Sequence, residues 1–146
     1  MNPIRKAQAS DLVRIAEIEI FNYRLNFYPI FRDDPFYFGE LQVPRLMERY
    51  KNASDSFFVY DDGVVKGFVQ VCGSEVRKLF VEPVLQSHGI GAKLIEYAVT
   101  QLHANTLWAL EKNERAIAFY ERHGFHRTDD RKFEEDTDEY LVRMRL

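Results

Sequence analysis

The sequence predicts an α/β protein with a mixed sheet, in which most neighbouring strands are antiparallel and one pair is parallel. Strand-like runs at 56–60 and 64–72 flank Asp61-Asp62-Gly63, which is typical of a hairpin turn. A third run ends at Val81, and a long helical pattern separates it from a buried strand-like run at 107–110. Because no hairpin intervenes in this strand, helix, strand order, a right-handed parallel crossover must join the two strands.

The N-terminal part is predicted to supply a short strand at residues 3–7 and two helices. Apolar residues recur three and four positions apart after Ser10-Asp11, and either of these two residues can cap the first helix. The second helix is predicted over residues 41–50.

Between these helices, from Phe21 to Glu40, the helical pattern breaks down, and we expect a loop. The chain holds 12 Phe and 8 Tyr, and many of them fall in this stretch. Aromatic residues in such a loop can pack onto the core and also line a pocket. Tyr28 and Tyr37 are the residues of this stretch that we predict to contact a ligand in such a pocket.

The C-terminal part completes the predicted sheet. A helix over residues 114–123 ends at Gly124, where a helix C-terminus favours glycine. Two strands follow, at 125–133 and 139–144. The charged run between them, residues 134–139, is predicted to be a solvated hairpin tip.

The bulk composition excludes several classes of protein. With 146 residues, of which 46% are apolar and 29% charged, residues 1–146 are predicted to form a single globular domain. A net charge of −3 argues against general nucleic-acid binding. The single cysteine, Cys72, excludes a disulfide framework and a cysteine-ligated zinc site. Because the sequence has no signal-like apolar segment and no apolar run of membrane-spanning length, we expect a cytoplasmic protein that does not bind membranes.

The stretch from Val76 to Leu94 is predicted to be a strand, a loop and a helix. Pro83 bounds the strand, because proline cannot continue a central ladder. Apolar residues then recur every four positions from Ile90, which predicts a helix that starts near Gly89. Free N–H groups and the positive end of the helix dipole favour an anion at such a start, and glycines let the backbone approach a phosphate closely.

Two motifs carry the chemistry. The first is Gln86-x-x-Gly89-x-Gly91-Ala92, directly after the strand. It is not a dinucleotide-binding fingerprint, since Leu94 stands at the third glycine position, and it lacks the Gly-Lys-Ser/Thr of a P-loop. The second motif comprises Asn113, Ala116, Phe119-Tyr120 and Gly124-Phe125. Each motif is weak alone, but their order and spacing together are specific.

In this order and spacing the chain resembles the GNAT superfamily, the acetyl-CoA-dependent N-acetyltransferases. Residues 86–92 match that family's pyrophosphate loop, and residues 113–125 match its second cofactor motif. The resemblance implies the GNAT fold, an α/β (α+β) architecture with a central mixed, mostly antiparallel twisted sheet. The sheet of this fold has about six to seven strands, and about four helices accompany it. The parallel crossover joins the fourth and fifth strands. The resemblance follows the whole chain in element order.

The resemblance also implies which residues hold acetyl-CoA as co-substrate. Leu79, Phe80 and Val81 match the strand whose backbone pairs with the pantetheine arm as an added strand would. The pyrophosphate loop is matched by Gln86, Ser87, His88, Gly89, Ile90, Gly91 and Ala92. Asn113 matches an asparagine that contacts the cofactor, and Tyr120 matches the tyrosine that faces the thioester sulfur.

One departure from the family pattern concerns charge. The family usually carries a basic residue in the segment that reads Gln86-Ser87-His88 here. Ser87 and a mostly neutral His88 weaken the local positive charge. Phosphate binding is therefore expected to depend on backbone amides and the helix dipole.

Amine acetylation requires a neutral amine, a donor to the oxyanion and an acid for the leaving thiolate. An alkylammonium group has a pKa near ~10, so a base or a chain of water molecules must accept its proton. The N–H of Val81 is the expected oxyanion donor, and Tyr120 is the predicted catalytic acid. Glu75 is a candidate base. Arg77 lies where some family members carry a carboxylate base, which favours a water relay instead.

We expect an enzyme that acetylates a primary amine of a small molecule or peptide by direct attack in a ternary complex. No metal or nucleic acid is expected to take part, and the protein is expected to be a monomer or homodimer. The acidic balance and the run at 134–139 favour cationic acceptors such as polyamines, aminoglycosides or lysine-bearing peptides.

Two alternatives to an enzyme stay open at this point. The first is a non-catalytic domain of the same fold that binds CoA or acetyl-CoA as a sensor. The second is a protein-interaction domain that uses the aromatic residues 21–38 as a contact surface. Measuring CoA release with a panel of amines distinguishes the enzyme from the sensor.

Overall fold

Seven strands form one sheet within residues 2–146, the part of the chain that the computed structural model describes. They are β1 (Ile4–Lys6), β2 (Phe57–Asp61), β3 (Val65–Cys72), β4 (Glu75–Val81), β5 (Thr106–Leu110), β6 (His126–Phe133) and β7 (Tyr140–Arg145). The strand order across the sheet is β1-β2-β3-β4-β5-β7-β6. Every neighbouring pair is antiparallel except β4 and β5, which confirms the predicted crossover between the fourth and fifth strands.

Five α-helices accompany this sheet in the described residues. They are α1 (Leu12–Asn22), α2 (Tyr28–Phe31), α3 (Val43–Tyr50), α4 (Ile90–Leu102) and α5 (Glu114–Arg122). The four predicted helices correspond to α1, α3, α4 and α5. No helix among residues 2–146 has the length and apolar character needed to cross a membrane.

The stretch predicted as a loop, residues 21–40, is helical except at Arg32 and Asp33. A π-helical turn, Tyr23–Phe27, continues from α1 into α2, and a second π-helical turn covers Pro35–Glu40. The wider π turns shift side chains around the helix axis, so the aromatic positions do not follow the 3.6-residue period. The loop prediction was wrong because a π-helical turn does not have the apolar spacing of an α-helix.

The start of α1 has no side-chain cap, although Ser10 and Asp11 were the predicted candidates. The Asp11 carboxylate instead accepts the N–H of Gln8 at 2.7 Å and pairs with Arg5 at 2.8 Å. The hydrogen bond from Arg5 lowers the pKa of Asp11. The carboxylate therefore stays ionised and ties β1 to the chain entering α1.

Hydrophobic side chains fill both faces of the sheet. Helices α4 and α5 cover one face, where the fully buried side chains include Leu94, Ile95, Leu107, Ile117 and Phe125. Helices α1 and α3 cover the other face, where they include Ile15, Ile18, Leu46, Phe57 and Phe68. Along β2 the residues alternate between the two clusters, with Phe58 and Tyr60 in the first and Phe57 and Val59 in the second, as the two-residue period of a strand requires.

The parallel strands β4 and β5 are paired only at their N-terminal ends. The pairing covers Glu75 with Thr106 and Val76 with Leu107. A bulge in β4, at Arg77, shifts its register with β3, and such bulges bend a strand. Among the described residues, β4 then has no strand partner on its β5 side. A wedge therefore opens between the C-terminal ends of the two strands.

Candidate active site

A cavity of about 400 Å³ lies where the end of β4, the start of α4 and helix α5 meet. Most of the residues predicted to hold acetyl-CoA line it. These are Leu79, Phe80 and Val81 from β4, Gln86, Ser87, Gly89, Gly91 and Ala92 from the loop, and Asn113 and Tyr120 from the α5 region. The two motifs, which are more than twenty residues apart in sequence, thus form the walls of one cavity.

The backbone at the end of β4 faces the cavity with free hydrogen-bonding groups. The N–H of Glu82, directly after β4, donates to the carbonyl oxygen of Lys66 in β3 at 2.9 Å. The backbone groups of Glu82 therefore point toward β3. Because bonding direction alternates along an antiparallel strand, Leu79 and Val81 direct their N–H and C=O groups away from β3. The N–H and C=O of Leu79 and the N–H of Val81 lie in the wedge between β4 and β5, where an extended ligand can pair with them. The carbonyl oxygen of Val81 accepts from Nδ2 of Asn22 at 2.9 Å.

The start of α4 offers unbonded amides to the same cavity. Gly89 has a φ of 86° and precedes the helix, and the N–H of Lys93 makes the first helical bond, to the carbonyl of Gly89, at 3.1 Å. The amides of residues 90–92 come before that bond and have no acceptor within the helix. Together with the helix dipole they form an anion site.

Two residues of this loop, His88 and Ile90, do not line the cavity. The His88 ring is exposed, and its Nδ1 lies 2.9 Å from the carbonyl oxygen of Gln86. The Ile90 side chain is buried in the core, so only its backbone is available at the helix start. His88 therefore contributes to the shape of the loop.

Helix α5 brings positive charge that the sequence analysis missed. The exposed residues Arg115 and Arg122 both line the cavity, together with Phe119. Their spacing of four and three residues places them on one helix face, a signal that was present in the sequence. They supply the cationic character that the loop 86–92 lacks.

The side chain of Asn113 caps α5. Its Oδ1 accepts the N–H of Ala116 at 3.2 Å, which is the N-cap arrangement. Asn113 also lines the cavity. The residue thus fixes the start of the helix that carries Tyr120.

Tyr120 lines the cavity, and neighbouring aromatic rings hold its ring in place. The ring packs edge-on against Phe119 and Phe125, with centroids 5.2 and 5.9 Å away. Burial raises the pKa of Tyr120, so its hydroxyl stays protonated at neutral pH. No side chain in the described part of the chain forms a hydrogen bond with this hydroxyl. It is therefore a protonated donor without a protein acceptor.

Three further predicted residues, besides His88 and Ile90, do not line the cavity. Glu75 stands at the opposite end of β4, about 13 Å along the strand from Leu79 at ~3.3 Å per residue, and its carboxylate lies 3.4 Å from Arg77. Tyr28 and Tyr37 pack edge-on with ring centroids 5.7 Å apart in the helical segment after α1. Tyr37 is only 4% exposed, and its side chain packs in the hydrophobic cluster beneath α1 and α3.

A buried polar cluster joins α1, α3 and β4 on the other face of the sheet from α4. The Nζ of Lys78 donates to the carboxylate of Glu19 and to the hydroxyl of Tyr50, each at 2.7 Å. Glu19 is 1% exposed, and Tyr23 lies 3.3 Å from the same Nζ. Burial and the charge of Glu19 raise the pKa of Tyr50. Since each charge is paired and hydrogen-bonded, the cluster holds these three elements in register.

Within residues 2–146, no group of three or more His, Cys, Asp or Glu side chains is arranged to hold a metal ion. The donors around the cavity are amides, guanidinium groups and a phenol, which suit an anionic ligand.

Comparison with known proteins agrees with this geometry. Residues 53–127 match the sequence model of the acetyltransferase (GNAT) domain. Over 128 residues the chain is 30% identical to the peptidyl-lysine N-acetyltransferase YiaC of Escherichia coli (strain K12), covering 86% of this chain and 84% of YiaC.

Two solved structures share the fold. Apo YjaB from Escherichia coli has a TM-score of 0.74 at 20% identity, covering 97% of this chain and 95% of YjaB. The protein yncA from Salmonella typhimurium, solved with its cofactor acetyl-CoA, has a TM-score of 0.66 at 19% identity, covering 98% of this chain and 91% of yncA. Because the domain match spans half of the chain and the YiaC alignment spans most of it, the chain belongs to the GNAT family of acetyl-CoA-dependent N-acetyltransferases.

Proposed function

We propose that the amine acetylated by this N-acetyltransferase is a lysine side chain of a peptide or protein. The observation that carries the proposal is the similarity to YiaC over most of both chains, since YiaC is named as a peptidyl-lysine N-acetyltransferase. A cytoplasmic location and a monomeric or homodimeric state are part of the same proposal.

The cavity fits acetyl-CoA, which supplies an acetyl group activated as a thioester. The free amides of residues 90–92 suit the pyrophosphate, and Arg115 and Arg122 add positive charge beside them. The outward N–H and C=O groups of Leu79 and the N–H of Val81 suit the amides of the pantetheine arm. Asn113 completes this set at the start of α5.

The proposed chemistry uses two groups of this chain. The N–H of Val81 stabilises the oxyanion of the tetrahedral intermediate, because it points into the wedge and has no strand partner there. Tyr120 donates its proton to the departing sulfur. Its raised pKa keeps the hydroxyl protonated, and it has no competing protein acceptor among the described residues.

The proton of the lysine ammonium is proposed to leave through water. Glu75, the candidate carboxylate, lies at the far end of β4 and is engaged by Arg77. A direct transfer requires hydrogen-bond reach, or one bridging water, between base and amine. The distance along the strand therefore favours a longer water chain over Glu75.

Acidic and aromatic residues support a cationic acceptor. Burial raises the pKa of Tyr37 to about 12, and the carboxylates of Asp33 and Glu134 contribute. Glu134 follows the last residue of β6, and because its charge acts on Tyr37 it lies within electrostatic reach of the aromatic segment. A lysine cation is attracted to such a surface. We place Tyr28 and Tyr37 on the acceptor side for this reason.

An acceptor screen tests the proposal. CoA release is measured with lysine peptides blocked at the N-terminus, with the same peptides carrying arginine in place of lysine, and with a polyamine and an aminoglycoside. We expect kcat/KM to be highest for the lysine peptides, and no release with the arginine peptides. A higher kcat/KM for the polyamine or aminoglycoside would contradict the proposed acceptor. Binding of acetyl-CoA without CoA release from any amine would favour the sensor alternative.

A further inference from the structure

The side chain of Asn22 is buried where α1, β4 and the loop 86–92 meet, and all of its hydrogen-bonding groups are used. Its Nδ2 donates to the carbonyl oxygens of Ile18 and Val81, each at 2.9 Å. Its Oδ1 accepts from Nε2 of Gln86 at 2.9 Å and from Nδ2 of Asn26 at 3.4 Å. A carboxamide has two donor hydrogens and two acceptor sites, so Asn22 is fully satisfied.

Asn22 lies at the point where α1 passes into the π-helical turn that packs against β4. Asn22 is the last residue of α1, directly before the π-helical turn. In that turn, Tyr23 and Phe27 pack edge-on against Phe80, with ring centroids 5.6 and 6.4 Å away. The end of α1 therefore holds two successive residues of β4, Phe80 through its ring and Val81 through its carbonyl.

We propose that Asn22 is a positioning residue for the acetyl-CoA site. It fixes the carbonyl of Val81, and with it the strand end that faces the cavity. Through Gln86 it also fixes the start of the loop 86–92. Both segments are thereby held in place relative to α1. The inference rests on the proposed placement of acetyl-CoA along β4, and it does not depend on which amine is acetylated.

Removing the Asn22 amide loosens both segments together. The Asn22→Ala change leaves the carbonyl of Val81 and the amide of Gln86 without their shorter hydrogen bonds. The strand end and the loop then gain freedom that ligand binding must remove, which weakens affinity. Gln86→Ala breaks the same connection from the loop side.

Calorimetry with CoA on the full chain tests the inference. We expect Asn22→Ala and Gln86→Ala each to raise the CoA Kd about tenfold. The double variant should be no worse than Asn22→Ala alone, because Asn22→Ala already removes the hydrogen bond between Asn22 and Gln86. Asn22→Asp keeps an acceptor for Gln86 but turns an oxygen toward the carbonyl of Val81. Asn22→Asp is expected to raise the CoA Kd at least as much as Asn22→Ala does. In steady-state kinetics the KM for acetyl-CoA should rise while the acceptor KM stays within twofold.

A stability control separates positioning from general folding. Leu46 is 1% exposed in α3, and Leu46→Ala is expected to lower the Tm without changing the CoA Kd by more than twofold. If Asn22→Asp and Gln86→Ala lower the Tm but leave the CoA Kd unchanged, Asn22 is structural only and the inference is overturned, even where Asn22→Ala fails to fold. If Gly91→Val also leaves the Kd unchanged, the placement of acetyl-CoA itself is wrong.

Discussion

Gly91 in the first turn of α4 lies against the ring of Phe119 in α5. A Cβ at position 91 would sit 3.4 Å from Cε1 and Cζ of Phe119 and 3.7 Å from Cγ2 of Val81. This position therefore has room for a methyl group in contact and for nothing larger. Gly89 serves a different purpose, because its φ of 86° lies in the left-handed region that favours glycine.

The first prediction concerns Gly91. Gly91→Val places branched carbons against Phe119 and Val81, and it should push α4 away from α5 and disturb the amides of residues 90–92. We expect the CoA Kd, measured by calorimetry, to rise at least tenfold. Gly91→Ala should change it by no more than a few-fold, because a Cβ alone makes ordinary contact.

Gly89 and Gly63 supply the matched controls for this loop. Gly89→Val forces a residue with a Cβ into the left-handed backbone conformation, at a cost of about 1–2 kcal/mol. This variant should also raise the CoA Kd. Gly63 has a φ of 127° in the turn between β2 and β3, far from the cavity. Gly63→Val should lower stability and leave the CoA Kd unchanged. Equal CoA affinity in the wild type and in both loop variants would exclude residues 86–92 as the pyrophosphate site.

The second prediction concerns the arginines of α5. Arg115→Gln and Arg122→Gln each remove one exposed positive charge from the cavity and should raise the CoA Kd about three- to tenfold. The difference in CoA affinity between these variants and the wild type should be smaller at high salt, since ions screen the attraction between arginine and phosphate. Arg45→Gln, on the exposed side of α3, is the control and should have no effect. If the CoA Kd of both α5 variants matches that of Arg45→Gln, other groups hold the phosphates.

The sequence was sufficient for the sheet, for the crossover and for most of the cavity. The loop 86–92 and the motif at 113–125 that contains Tyr120 are each short in sequence, so their residue spacing can be recognised from the sequence alone. The face formed by Arg115, Phe119 and Arg122 also has a helical spacing that is visible in the sequence, but its two arginines are not positions of either motif.

Asn22 could not be found in the same way. It bonds to Val81 and Gln86, which are 59 and 64 residues away in the chain. Nothing in the local sequence marks an asparagine at a helix end as the partner of a distant strand. The helical state of residues 21–40 was missed for a related reason, since tertiary packing of its aromatic residues stabilises turns that have no α-helical period.

The third prediction concerns the acceptor side. Tyr28 is half-buried and its hydroxyl donates to the carboxylate of Asp34, so Tyr28→Ala should raise the acceptor KM several-fold and leave the acetyl-CoA Kd unchanged. Tyr37 is buried, and Tyr37→Ala should in addition destabilise the fold by about 3 kcal/mol, the usual cost of removing a core aromatic ring.

Tyr37→Phe avoids that loss of packing and isolates the hydroxyl group. It should alter the acceptor KM with little change in Tm. A parallel loss of acetyl-CoA affinity in the Tyr28 and Tyr37 variants would count against assigning these residues to the acceptor.

The fourth prediction concerns pH and the base. Burial raises the pKa of Tyr120 above its ordinary value of 10.0, so this acid stays protonated as pH rises toward 9. The rate should therefore rise with pH as the lysine acceptor loses its proton, and it should not fall again below pH 9.

Glu75→Gln discriminates between the two routes for the amine proton. With a water relay, the variant keeps the wild-type pH profile and a kcat within a few-fold. A fall in kcat of about 10²-fold, the usual share of general-base catalysis, would instead identify Glu75 as the base.

The fifth prediction tests Tyr120 as the catalytic acid, which is the central claim. Tyr120→Phe keeps the ring and its edge-on contacts with Phe119 and Phe125 but removes the proton donor. The hydroxyl has no protein partner among the described residues, so stability should hardly change. The measurement is kcat with a lysine peptide, together with the acetyl-CoA Kd of the same variant. We expect kcat to fall roughly 10²-fold while the Kd stays within a few-fold. Full activity in the Phe variant would contradict the account and leave water or another side chain as the acid.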